Sequence, residues 1–114
     1  MGQPAYAPAY ALVPPPPEAR PVDPQRVACF GIVSEPDPGA LARLLEPFAK
    51  RGLVPLSIAV RHLEAEEQLV TDIQVRGLPR DESDYVARAL RTIPVVRQVV
   101  TTERYPAERA RRED

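Results

Sequence analysis

The chain carries little with which to do covalent or metal chemistry. Its 114 residues include one cysteine, Cys29, one histidine, His62, and no tryptophan. A lone cysteine closes no internal disulfide, which suits a reducing compartment. With no second cysteine or neighbouring histidine, Cys29 has neither a metal-ligand spacing nor a base, and it reads as a small buried apolar residue. His62 reads as a surface residue at a strand end. Ser34 and Ser57 have no recognisable base partner. No phosphate loop, zinc spacing or pair of catalytic acids emerges. A non-enzyme without catalytic residues, metal or cofactor is therefore expected. Charge of either sign is not in excess: fifteen basic residues face sixteen acidic ones, for a formal net charge of −1. That balance gives no electrostatic reason to expect nucleic acid or an anionic membrane as partner. No apolar run approaches the roughly 20 residues of a membrane span. No basic start leads into an apolar core as in a secretory signal. Cytoplasm is the expected compartment.

Proline, by contrast, is plentiful and unevenly placed. Residues 1–25 hold eight of the fifteen, including the run Pro14-Pro15-Pro16-Pro17. A stretch missing so many N–H donors forms neither ladder nor helix, so residues 1–26 are expected to be an extended, disordered Pro/Ala-rich tail. The same tail offers a polyproline-type ligand to another protein, although no basic residue stands beside a clear PxxP core. Residues 103–114 are almost all charged and are expected to be solvated. The fold is left to residues 27–102. A unit of that size buries only about 60% of its unfolded surface, so modest stability is expected, with relief from a shared surface.

Within that span the apolar pattern changes period. Val27 to Val33 is apolar throughout, which suits a central strand, and Gly31 leaves room there for a close approach. Asp37 is placed to cap a helix, with Pro38 at its first position, where a missing N–H costs nothing. Leu41, Leu44, Leu45 and Phe48 follow at helical spacing. Pro47 is a local conflict that should kink or shorten the helix. Lys50 and Arg51 suit its C-terminal end and Gly52 suits the residue just past it. Leu56, Ile58 and Val60 then alternate with Ser57, Ala59 and Arg61, the pattern of a half-buried strand, and Pro55 points to an edge. Residues His62 to Glu67 read as a charged hairpin connection. Its glutamates, Glu64, Glu66 and Glu67, lack the spacing of a calcium loop. Leu69, Thr71, Ile73 and Val75 mark a third strand, and Gly77-Leu78-Pro79 a turn. Asp81 or Ser83 is positioned to cap a second helix with an apolar side at Tyr85, Val86, Ala89, Leu90 and Ile93. Pro94 stops it, and Val95 to Thr101 form the last strand.

The order β-α-β-β-α-β implies an α+β, ferredoxin-like sandwich. A four-stranded antiparallel sheet has its first and third strands in the middle and both helices on one face. The second and fourth strands are edges, and exposed edges are natural docking sites for a second copy.

At Asp37-Pro38-Gly39-Ala40-Leu41-Ala42-Arg43-Leu44, followed by Phe48-Ala49-Lys50-Arg51-Gly52, the sequence resembles ACT domains, small ligand-binding regulatory modules. Within them it looks like the N-terminal domain of the acetolactate synthase small regulatory subunit. The resemblance runs from about Val27 to Thr102, and its second half matches only in pattern. It implies a stand-alone regulatory protein that binds an amino acid or similar small ligand and modulates a partner enzyme of amino-acid metabolism. It also implies a homodimer through the edge strand 56–60 or through helices. By position the ligand site would be Glu35, Pro36, Asp37, Pro38, Gly39 and Ala40, where a helix start offers free N–H groups and Gly39 lets a ligand approach the backbone. Two departures stand out. Pro36 and the pair Val54-Pro55 occupy places where the resembled family carries amide side chains. Losing such groups weakens a site built to hydrogen-bond its ligand. The alternative expectation is a dimerising or scaffold module with a vestigial ligand site. RNA binding through the sheet ranks below both, because Ile73, Gln74, Val75 and Arg76 include no aromatic on which a base could stack. An acylphosphatase-type enzyme ranks low for want of an arginine-asparagine site.

Overall fold

Two-residue alternation governs the first strand and, through it, the sheet. In the computed structural model, which describes residues 23–105, β1 spans Val27–Ser34. Ala28, Phe30, Ile32 and Ser34 are buried, and Cys29, Gly31 and Val33 between them are half-buried. There follow α1 (Ala40–Lys50), β2 (Ser57–Leu63), β3 (Gln68–Arg76), α2 (Arg80–Arg91) and β4 (Val96–Arg104). The sheet order is β2-β3-β1-β4, with every neighbouring pair antiparallel. The expected α+β architecture is therefore present, with β1 and β3 central and β2 and β4 at the edges. The polyproline tail reading lies outside the described residues.

Register explains which face is dry. Phe30 stands between Ile73 of β3 and Thr101 of β4, and Ile32 between Thr71 and Val99. Directly paired residues share a face. Phe30, Ile32, Ile73 and Val99 pack with Leu44 and Phe48 of α1 and Val86 and Leu90 of α2 in one apolar cluster. The rings of Phe30 and Phe48 meet edge to face, with centroids 5.2 Å apart. Both helices thus cover the same side of the sheet.

The helix ends follow local chemistry, with some departures from expectation. Pro47 neither breaks nor shortens α1, which continues to Lys50. The hydrogen bond from position 47 to the Arg43 carbonyl is forgone, and the helix continues past it for three residues. Gly52 adopts φ +69°, its N–H donates to the Ala49 carbonyl, and the Leu53 N–H donates to the Phe48 carbonyl. This pairing is a Schellman closure, with Leu53 packed on the core as its apolar partner. Helix α2 starts at Arg80, earlier than a cap at Asp81 or Ser83 would allow. Extended Pro79 occupies the cap position, with Gly77 at φ +79° just before it. Ser83 is instead buried in the first turn, its hydroxyl donating to the Arg80 carbonyl at 2.9 Å. Tyr85, expected on the apolar side, is 49% exposed, and Ser83, Val86, Ala87 and Leu90 form the buried face.

Strand β2 differs more. Its alternation implied half burial, yet Leu56, Ile58 and Val60 are 46%, 42% and 39% exposed. Ile58 pairs with Ile73 and Val60 with Thr71, both buried. The apolar row therefore faces the helical side of the sheet, but it lies at the margin, where helical cover gives out. Strand β4 runs to Arg104, three residues past the expected end at Thr101. Arg26 and Glu103, placed by expectation in the two tails, take part in the packing. The Arg26 guanidinium is buried; its Nε donates to Glu103 Oε1 at 2.6 Å and its Nη1 to the Leu78 carbonyl. Arg80 Nη2 holds Glu103 Oε2 at 2.8 Å. The pairs join the start of β1, the start of α2 and the end of β4.

Hydrogen bonds from Arg80 and Arg26 hold the Glu103 carboxyl down at about 2, against an ordinary 4.5. A carboxyl whose folded pKa is depressed stabilises the fold above its unfolded pKa and loses that contribution as pH falls through its folded one. Wild-type protein should therefore exceed Glu103→Gln in thermal midpoint at neutral pH. The gap should close as pH drops from about 4.5 towards about 2. A gap that stays constant over that range would mean that the charge of Glu103 contributes nothing.

Candidate functional site

The loop from Glu35 to Ala40 is built by its own side chains and carbonyls. The Glu35 N–H donates to the Val95 carbonyl, which ties the loop to the entrance of β4. The Asp37 N–H donates to the Glu35 carbonyl at 2.8 Å, a three-residue turn centred on Pro36. The fixed φ of proline suits that turn, which gives Pro36 a structural role in place of a polar one. The Asp37 carboxylate accepts the Gly39 N–H at 2.9 Å, and its carbonyl accepts the Ala40 N–H at 2.9 Å. Helix α1 consequently begins at Ala40 with Gly39 as its cap residue, and Asp37 closes the turn ahead of it, two residues before the cap position. A Cβ on Gly39 would lie 3.3 Å from Asp37 Oδ2, so the glycine makes room for that carboxylate. A Cβ on Gly31, by contrast, would meet nothing closer than the Val100 carbonyl at 3.8 Å, an ordinary contact.

This geometry narrows what the loop can hold. Two of the N–H groups at the helix start are already taken by Asp37. The N–H groups of Leu41 and Ala42 have no backbone acceptor outside the helix among the described residues. A ligand carboxylate would find its donors there. Exposed Glu35 and half-buried Asp37 add negative charge suited to an ammonium. Pro36 and Pro38 are exposed, Gly39 is half-buried and Ala40 is buried. The six residues therefore form one surface loop at one end of the sheet. Val54, 84% exposed, and Pro55 precede β2 at the opposite end, so one copy of the chain does not bring them to the loop.

Two further features lie along the sheet. The first is the exposed row Leu56, Ile58 and Val60 along the unpaired edge of β2. The second is the Thr71 hydroxyl, which is fully buried between Ile32 and Val60 and has no hydrogen-bond partner among the described residues. Neither the failed burial of β2 nor the orphaned hydroxyl has a signal in the sequence, since both depend on how far the helices reach. Among the described residues no group of histidine, cysteine or acidic side chains is arranged to hold a metal ion. No described helix is long and apolar enough to cross a membrane.

Asp37→Ala removes the acceptor of the Gly39 N–H and should cost about 1 kcal/mol of stability, as loss of a side-chain acceptor at a helix start does. Asp37→Asn keeps an acceptor oxygen and should retain most of it; urea unfolding midpoints of both variants check this. Thr71→Val replaces an unpaired buried hydroxyl with a methyl and should raise stability by about 1 kcal/mol. A lower melting midpoint in Thr71→Val would show that the hydroxyl has a partner in solution.

No protein-family model matches the sequence. A search of characterised proteins likewise finds no match. Solved structures do match. The ACT domain of GTP pyrophosphokinase from Chlorobium tepidum superposes with a TM-score of 0.58 at 16% identity, covering 67% of this chain and 96% of that one. The regulatory subunit of aspartate kinase from Thermus thermophilus gives 0.54 at 17% identity, over 70% of this chain and 52% of that one. The C-terminal domain of the MgtC protein from Mycobacterium tuberculosis gives 0.59 at 9% identity, over 73% and 92%. At such identities the similarity establishes the architecture, and the described residues have the ferredoxin-like fold that ACT domains adopt.

Proposed function

We propose that this chain is a non-catalytic regulatory module of the ACT type. It binds an amino acid or similar small ligand at the Glu35–Ala40 loop and modulates a partner enzyme of amino-acid metabolism, as the resemblance to the acetolactate synthase small subunit implies. The observation that carries this reading is the exposed apolar row on β2, an unpaired edge strand that runs towards the end of the sheet where the loop leaves β1. Two copies related by a two-fold axis would pair their β2 strands antiparallel. Each Leu56-Ile58-Val60 row would then cover the other. The same pairing carries the start of one copy's β2, with Val54 and Pro55, to the loop end of its partner. A ligand would sit between copies, its ammonium near Glu35 and Asp37 and its carboxylate at the Leu41 and Ala42 N–H groups.

A second reading has one observation in its favour. Asp37 already takes two of the N–H donors at the helix start, and Pro36, Val54 and Pro55 offer no side-chain hydrogen bonds. On this reading the module dimerises and its ligand site is vestigial.

A thermal-shift screen against the twenty amino acids separates the two. Ligand at 100 times its Kd adds about 2.7 kcal/mol to stability, so one amino acid should raise the melting midpoint and the others should not. No shift with any of them favours the scaffold. Light scattering on the same samples, before and after tenfold dilution, should report a dimer that Val60→Lys dissociates. A strictly monomeric wild-type protein at micromolar concentration removes both readings.

A further inference from the structure

The outer surface of the two helices holds a feature that neither the loop nor the β2 edge explains. A groove of about 530 Å³ runs along α1 from Arg43 to its C-terminal end and beside the C-terminal half of α2. Its size falls within the range of small-molecule sites, about 300–1,000 Å³. Its apolar surface comes from Pro47, Ala89, Ile93 and Pro94. Tyr85 stands at one side, with the Arg51 guanidinium 4.3 Å from its ring centroid and Arg88 at 6.0 Å. Stacking by cations from two helices restrains the ring although it is half exposed.

The charge around the groove is one-sided, unlike that of the chain. Arg43, Lys50 and Arg51 line it against a single carboxylate, Glu46, whereas the whole chain is nearly neutral. Arg51 is partly engaged by Glu82 at 3.6 Å and by Tyr85. Arg43 and Lys50 have no ion-pair partner among the described residues. Lys50 is in the last turn of α1, where the helix dipole favours a cation, but Arg43 is near the opposite end, where it does not. We infer that the groove between α1 and α2 binds a small amphiphilic anion. Its acidic group would pair with Arg43 and Lys50, and its apolar or aromatic body would lie against Tyr85, Ala89 and Ile93. This site is separate from the Glu35–Ala40 loop, and the inference stands or falls independently of the regulatory reading.

The test uses the full chain and 8-anilinonaphthalene-1-sulfonate, which carries one sulfonate on an aromatic body. Fluorescence titration should saturate at one probe per chain, and the affinity should fall as salt is raised. The double variant Arg43→Gln, Lys50→Gln changes two exposed side chains and should weaken binding roughly tenfold, with the far-ultraviolet spectrum unchanged. Amide chemical shifts should move at Tyr85, Ala89 and Ile93. Uncharged N-phenyl-1-naphthylamine should bind more weakly than the sulfonate. Absence of saturable binding overturns the inference. So does binding that the double variant leaves unchanged, or shifts confined to Leu56, Ile58 and Val60, which would place the probe on the sheet edge.

Discussion

The edge-to-face contact of Phe30 on Phe48 fixes how the helical layer sits on the sheet. Phe30 belongs to one of the two central strands, and Phe48 to the helix that follows it in sequence. Both rings are shielded from water, and removing a buried aromatic ring typically costs about 3–5 kcal/mol. That is a large share of the roughly 5–15 kcal/mol by which a domain is stable. The Schellman closure at Gly52 depends on the same residue, because the Leu53 N–H returns to the Phe48 carbonyl. One side chain thus anchors the core, and its backbone ends the helix that carries it.

A sheet organised around β1 covers its middle well and its margins poorly. Strand β4 is secured at its far end by the Arg26–Glu103–Arg80 cluster, which ties both ends of the domain to the start of α2. Strand β2 has no equivalent. It pairs only with β3, and its apolar row stays exposed. An exposed apolar edge on a domain of this size is a liability unless something covers it. That imbalance between the two edges directs the functional reading towards self-association through β2.

The loop and the helical groove differ in chemistry. Near the loop the fixed charges are Glu35 and Asp37, and the available donors are two main-chain N–H groups. In the groove the fixed charges are mainly cationic and the walls are apolar. The first arrangement suits a zwitterion held by its backbone-like atoms. The second suits an anion with an apolar body. The two surfaces lie in different parts of the molecule and need not respond to the same ligand.

The sequence by itself determined the order of elements, the antiparallel fold class and the helix that follows Asp37. These rest on short-range rules: the continuous apolar run of β1, the alternation in β3, the i, i+3, i+4, i+7 spacing of Leu41, Leu44, Leu45 and Phe48, and the left-handed turn at Gly52. Short-range rules did not foresee that α1 continues through Pro47 to Lys50, and they misplaced the start of α2 at Asp81 or Ser83, where the turn at Gly77 and Pro79 started it sooner. Only the tertiary structure decided that β2 stays exposed, that Tyr85 faces outward beneath Arg51, and that Arg26 meets Glu103 across 77 positions. The Asp37 carboxylate belongs with the short-range contacts, since the N–H it accepts is only two residues along the chain. Periodicity states which residues share a face of one element. It carries no information about how far a neighbouring helix extends over that face, and that extent separates a buried row from an exposed one.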